Sequence, residues 1–208
     1  MKKRYQDLVI KNGTFIGDWE KLYLEFENPW HQTDKSVINS ISRRKVLDYI
    51  KKYNIDSMVE IGCGLGFTTD FLFQNSNELN ILGVDISHNA IRKAVKKFPH
   101  LNFQVADILE VLKFNNYQAF FMSEISWYLL EDGKLNKVIE GLKKTKKYRF
   151  LIHNLTFYKS GQLYGNQLFS NLDEFLRMVP FYKLDYCSYT EPHWNHIETS
   201  VIFDLKKS

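Results

Sequence analysis

Two cysteines in 208 residues leave no disulfide framework to hold the chain together. Cys63 lies in a glycine loop and Cys187 in an expected strand, and both read as small, reduced, packed residues. No apolar stretch follows Met1-Lys2-Lys3-Arg4, so no signal peptide is expected. No apolar run approaches the ~20 residues that a membrane span needs, which predicts a cytoplasmic chain with no membrane partner. The charge imbalance is slight. A net +4 permits an anionic substrate without requiring nucleic acid. Repeats, low-complexity runs and linkers are missing too, so one domain around one core is expected. What the chain has in plenty is aromatic residues, 15% of the total.

Its centre is Val59-Glu60-Ile61-Gly62-Cys63-Gly64-Leu65-Gly66-Phe67-Thr68-Thr69. Ser57 to Ile61 reads as a short buried strand, three alternating glycines follow, and helical spacing runs from Phe67 to Phe73. Glycines allow a sharp turn and bring a ligand close to main-chain N–H groups, while the helix aims its positive dipole end at the same spot. Dinucleotide-binding folds use a similar loop. Here, however, Glu60 stands two residues before Gly62. A carboxylate there repels a pyrophosphate and suits a cation. A second strand within 79–87 ends in Asp85, about twenty residues beyond the loop, the interval at which such folds place a carboxylate for ribose hydroxyls. A third, 101–106, is followed by Asp107-Ile108. A plainer alternative is that each acid only caps the helix after it.

The pattern Glu-x-Gly-x-Gly-x-Gly resembles the first motif of class I methyltransferases that use S-adenosylmethionine, a cofactor with an ammonium, a sulfonium and no phosphate. That resemblance implies a cofactor site made of Glu60, Gly62, Cys63, Gly64, Gly66, Asp85, Ile86, Asp107, Ile108 and Ser123. Asp107 would take the adenine amino group and Ile108 pack on the ring. S-adenosylhomocysteine would be the product, and no metal is expected.

Residues 1–56 read as a helical cap and 57–208 as the core. Residues 1–17, interrupted by Gly13 and Gly17, suggest an arm or lid, and 18–26 a short helix stopped at Asn28-Pro29. Ser36 to Tyr53 reads as one amphipathic helix whose polar face holds Arg43, Arg44 and Lys45. Further strands are expected at 117–122, 148–152, 182–189 and 197–205, and helices at 87–97, 132–144 and 172–178, with a looser stretch over 155–171. The alternation predicts an α/β fold. In full it is a Rossmann-like, seven-stranded, mostly parallel sheet with helices on both faces and an antiparallel C-terminal strand. The short connection 190–195 suggests a hairpin at the sheet edge.

Within the class, the chain resembles the nodulation-protein-S-like group, which methylates nitrogen on sugar oligomers. The likeness rests on Asn28-Pro29-Trp30, with Asn where the group has an acid, on Ser123-Glu124, on His153 after the fifth strand, and on Gly165-Asn166-Gln167.

His153 is the candidate base, since an unperturbed imidazole titrates near neutrality. Glu124 is a second catalytic candidate, to orient an amine or take a proton. Trp30, His31, Trp127, Tyr128, Glu191 and His193 are candidates for the substrate wall. His193-x-x-His196 has the look of a metal pair, but no cysteine or acid cluster completes a site. The basic residues Lys134, Lys137, Lys143, Lys144, Lys146, Lys147 and Arg149 read as a solvated face, mostly away from the ligand end. The Asn-Pro-Pro-aromatic motif of base-amino methyltransferases does not follow the fourth strand. The expected activity is therefore methyl transfer to O or N of a small polar metabolite, a sugar or a nucleotide-linked precursor of a surface glycan. RNA methylation and a non-catalytic binding partner are the alternatives, and the oligomeric state is not legible.

Overall fold

The computed structural model describes residues 4–11, 14–162, 164, 165 and 168–207. Gly13, Asn166 and Gln167, and with them part of the glycine-rich resemblance, lie outside the described residues, as does Met1-Lys2-Lys3.

The first residues form a 3-10 turn at Tyr5–Leu8 and a small hairpin of β1 (Ile10–Lys11) and β2 (Thr14–Phe15). Helices α1 (Trp19–Glu25), α2 (Asp34–Asn39) and α3 (Ile41–Tyr53) follow. Strands and helices then alternate through β3 (Ser57–Ile61), α4 (Phe67–Asn75), β4 (Asn80–Asp85), α5 (His88–Lys97), β5 (Asn102–Val105), α6 (Ile108–Val111) and β6 (Ala119–Ser123). The chain ends with α7 (Lys134–Thr145), β7 (Phe150–Tyr158), α8 (Leu172–Met178), β8 (Tyr182–Tyr189) and β9 (His196–Asp204).

The seven main strands lie in the order β5-β4-β3-β6-β7-β9-β8. Neighbours pair in parallel from β5 to β7, and β9 runs against both strands beside it. The expected terminal hairpin is present at the sheet edge, with β9 between β7 and β8 and β8 outermost. Side chains alternate across the sheet. On β6, Phe120 and Met122 join Val111, Val138 and Phe175 beneath α6, α7 and α8. Ala119 and Phe121 join Tyr49, Leu72 and Ala90 beneath α3, α4 and α5. The strand order reverses between β3 and β6, so the loops after these two strands open a crevice at their carboxyl ends.

Three elements differ from the sequence expectation for identifiable reasons. The single helix over 36–53 breaks at Ser40, which is extended at φ −69°, ψ 120°. Ser40 caps α3, and Glu198 of β9 accepts from Ser40 Oγ and from the Ser42 N–H, both at 2.9 Å, fixing the start of α3 beside the sheet. Strand β7 runs six residues beyond its expected end because it pairs continuously with β9, from Phe150↔Asp204 to Tyr158↔His196. Helix α7 starts late because Asp132 and Gly133 are both left-handed, at φ 53° and 61°.

Candidate active site

The loop after β3 is stitched to β4. Gly62 and Cys63 donate their N–H groups to Val84 O at 2.8 and 3.0 Å. Gly62 and Gly64 have φ of 72° and 55°. A Cβ at Gly62 would stand 2.4 Å from Ile125 Cγ2, and one at Gly64 2.8 Å from Tyr23 Oη. Both positions therefore require glycine by backbone and by space. Gly66 has a different task. It turns the chain into α4, and a Cβ there would strike Phe103 at 2.6 Å, so its bareness serves packing.

Asp85 closes the loop from β4. Its Oδ2 accepts from Gly64 N–H and its Oδ1 from Ser87 N–H, each at 2.9 Å. Burial pushes this carboxyl up to about 6 against the pull of those two bonds. Glu60 is 2% exposed and accepts from Thr69 Oγ1 at 2.6 Å. Burial raises it to about 7. Asp107 is the acid for which the capping alternative holds, since its Oδ1 accepts from Leu109 N–H at the start of α6. Its Oδ2 meets Lys134 Nζ at 2.5 Å.

These groups border a cavity of about 750 Å³ at the carboxyl ends of β3, β4, β5 and β6. Ile86, Ile108, Cys63 and Ser123 complete the loop side. The opposite wall comes from the segments before β3. Trp30 Nε1 donates to Tyr23 Oη at 2.9 Å, and Trp19 stands edge-on to Tyr128 with ring centres 4.9 Å apart. His31 and Phe15 extend this wall. Asn28, where the resemblance expects an acid, accepts from Gln32 N–H through Oδ1 and donates to Gln32 O through Nδ2. A carboxylate could only accept, so the amide closes the Asn28–Gln32 turn more fully. Glu20 of α1 fastens this wall to the core. Its carboxylate accepts from His88 N–H at 2.5 Å, from Asn89 N–H at 3.2 Å and from Asn89 Nδ2 at 2.7 Å, at the start of α5.

Glu124 follows β6 with φ 61°, an uncommon backbone for a non-glycine residue. Thr156 fixes both its oxygens, donating Oγ1–H to Oε1 at 2.8 Å and N–H to Oε2 at 2.9 Å. Burial raises its carboxyl, while the Thr156 bonds and the nearby Arg43 pull it back.

Several expected site residues stand elsewhere. His153 is 1% exposed and absent from the cavity wall. The wall takes Thr156 and Tyr158 from β7, and alternation turns His153 to the other face. There Nδ1–H donates to Asn154 O at 3.0 Å, Nε2 accepts from Ser126 Oγ at 2.5 Å, and the ring meets Phe175 edge-on. Burial lowers the imidazole to about 4, so it stays neutral and structural. Trp127 packs on Phe169 and Phe157 in the core and leaves the wall to Tyr128. Glu191 and His193 sit on the connection between β8 and β9, off the cavity wall, with Glu191 accepting from Tyr189 Oη. Lys134 and Lys137 reverse another expectation. They start α7, which runs back from the ligand end, and so line the cavity. The sequence reading missed Arg43, Thr156, Tyr158, Trp19 and Tyr23 on the wall. Extending the period-two pattern beyond residue 152 is the signal that finds Thr156 and Tyr158. Among the described residues no group of three or more His, Cys, Asp or Glu could hold a metal ion. Among them no helix is long and apolar enough to cross a membrane.

Residues 58–147 match the family described as "Methyltransferase domain". Protein 235L of Invertebrate iridescent virus 6, a methyltransferase by name, is 22% identical over 128 residues, 59% of this chain. The chain spans about half the length of that curated relative, the match covering 48% of it. Among solved structures, the N-methyltransferase NodS from Bradyrhizobium japonicum WM9, in complex with S-adenosyl-L-homocysteine, superposes with a TM-score of 0.64 at 13% identity. That match covers 89% of this chain and 96% of NodS. The methyltransferase domain of bacterial CtHen1 gives 0.61 at 15% identity, covering 78% and 96%. An S-adenosylmethionine-dependent methyltransferase from Clostridium acetobutylicum ATCC 824 gives 0.60 at 12%, covering 90% and 98%. A glycine loop with no room for side chains, acids at or just past the ends of three strands and this sheet order agree with those likenesses: residues 58–147 match a methyltransferase domain, and the chain has the fold of class I S-adenosylmethionine-dependent methyltransferases.

Proposed function

We propose that this protein transfers a methyl group from S-adenosylmethionine to O or N of a small polar metabolite, a sugar or a nucleotide-linked precursor of a surface glycan. The observation that carries the reading is Glu124, held by Thr156 on the wall of a cavity that the first thirty-odd residues roof with aromatic rings. The cofactor fits the residues present. Gly62 and Gly64 offer backbone where side chains have no room, and Asp85 keeps lone pairs for ribose hydroxyls after holding Gly64 and Ser87. Glu60 suits an ammonium, and Ile86 and Ile108 offer apolar surface for a base. When bound, the cofactor supplies a methyl group activated on a sulfonium.

The protein's own part is orientation and exclusion of water. Holding two reactants in line accounts for roughly 7–11 kcal/mol of a barrier. Trp19, Trp30 and Tyr128 close the site, and Tyr158 and Thr156 give the acceptor side hydroxyl partners. Glu124, raised by burial, accepts a hydrogen bond from an acceptor hydroxyl or amine and takes its proton where one must leave. NodS, named as an N-methyltransferase, has the same fold, which supports nitrogen as an acceptor atom. RNA methylation is a second reading, favoured by Lys134 and Lys137 on the cavity wall.

Purified protein, S-adenosylmethionine and a metabolite extract, followed by mass spectrometry, test the proposal. The expected product is a metabolite heavier by one methylene, with Glu124→Gln binding S-adenosylhomocysteine yet forming far less product. Methylated RNA from a parallel RNA extract, with the metabolites unchanged, refutes it in favour of the second reading.

A further inference from the structure

Arg43 stands on the cavity wall and carries a positive charge. It lies in the first turn of α3 and reaches the site because the chain breaks at Ser40 and Glu198 pins the new helix start. Its Nε donates to Thr68 Oγ1 at 3.0 Å, which fixes the guanidinium against the first turn of α4, directly after the glycine loop. Nη1 and Nη2 make no hydrogen bond to any described residue, and no carboxylate among them comes within ion-pair distance of Arg43. Both Glu60 and Glu124 nevertheless feel its charge. A half-buried guanidinium with a free fork, set on a cavity wall, calls for a planar anion.

We propose that Arg43 is a cofactor-binding residue whose free guanidinium edge takes the amino-acid carboxylate of S-adenosylmethionine, with Glu60 facing the ammonium of the same group. The zwitterion then meets a cation from α3 and an anion from β3, beside the glycine loop. The contact to Thr68 favours this source of carboxylate over an acidic acceptor, because it ties Arg43 to the loop side of the cavity. The proposal rests on the cofactor reading of this cavity, and the test separates the two.

Calorimetry compares S-adenosylmethionine with decarboxylated S-adenosylmethionine, which keeps the ammonium and lacks the carboxylate. An alkaline buffer keeps Glu60 ionised. Wild type should prefer the complete cofactor by about 10- to 100-fold, the range of a charge-assisted pair. Arg43→Met should lose that preference and bind the decarboxylated form as wild type does, which also shows that the variant folds. Arg43→Lys should keep part of it, since a point charge replaces a fork. An undiminished preference in Arg43→Met overturns the assignment. If wild type binds neither compound, the cofactor reading itself fails.

Discussion

Replacing Asp85 by Asn tests whether the loop geometry and the cofactor site are one object. The carboxylate accepts from two backbone donors, Gly64 N–H and Ser87 N–H, one on each oxygen. The amide can accept only on Oδ1, and its NH2 must then face the other N–H, donor against donor. A hydrogen bond to a charged acceptor contributes about 1.5–3 kcal/mol, and a buried donor left unpaired costs about 1–3 kcal/mol. Part of this is offset, because the ionised carboxylate is itself disfavoured by burial, as its rise to about 6 shows. A net stability loss on the order of 1–2 kcal/mol follows. The larger effect falls on the ligand. Gly64 loses its tether, and the lone pairs that face a ribose change character. Affinity for S-adenosylhomocysteine should fall roughly 10- to 100-fold, equivalent to about 1.4–2.8 kcal/mol. Titration calorimetry reads the affinity, and urea unfolding of the free protein reads the stability. A variant that loses stability yet binds the ligand as wild type does would separate the loop from the cofactor and refute the reasoning.

Two further outcomes are expected. Glu60 titrates near 7 in the fold against 4.5 for the free side chain, so as pH rises from 4.5 to 7 the unfolded chain gives up its proton first and stability falls. Glu60→Gln removes that fall, on the order of 3 kcal/mol, and wild-type affinity for S-adenosylmethionine rises with pH up to about 7; parallel stability curves for the two proteins contradict this. His153→Ala should lower stability by roughly 2–4 kcal/mol above pH 6.5, through the lost bonds to Ser126 and Asn154 and the hole left beside Phe175. The loss shrinks as pH falls from 6.5 to about 4, because the unfolded wild-type chain gains a proton there that the buried imidazole does not take, and S-adenosylhomocysteine affinity should not change. A large drop in that affinity, with the melting point held, would return His153 to the site.

The residues easiest to read from the sequence were those whose role is set by near neighbours. The glycine loop, Glu60 and Asp85 belong to a strand-turn-helix unit with its own geometry, and Ser87, at the start of the helix expected over 87–97, caps α5 by accepting from Ala90 N–H. Residues decided by distant partners were harder. Arg43 reads as solvent-facing because helical periodicity puts it on the polar side, and only Glu198, far along the chain, breaks the helix and turns that side to the cavity. The face of His153 depends on how far β7 continues, which pairing with β9 decides. Trp127 and Tyr128 are adjacent aromatics, and their 3-10 turn sends one to the core and the other to the wall.

The carboxylate of Glu20 gives the early helices two duties at once. It supplies acceptors to the unsatisfied amides that open α5, and it anchors the roof whose rings cover the crevice. Without that contact the His88 and Asn89 amides lose their acceptor, and Ser87 alone caps α5 through Ala90 N–H. A chain trimmed back to β3 would lose these bonds to α5 together with the aromatic wall of the cavity.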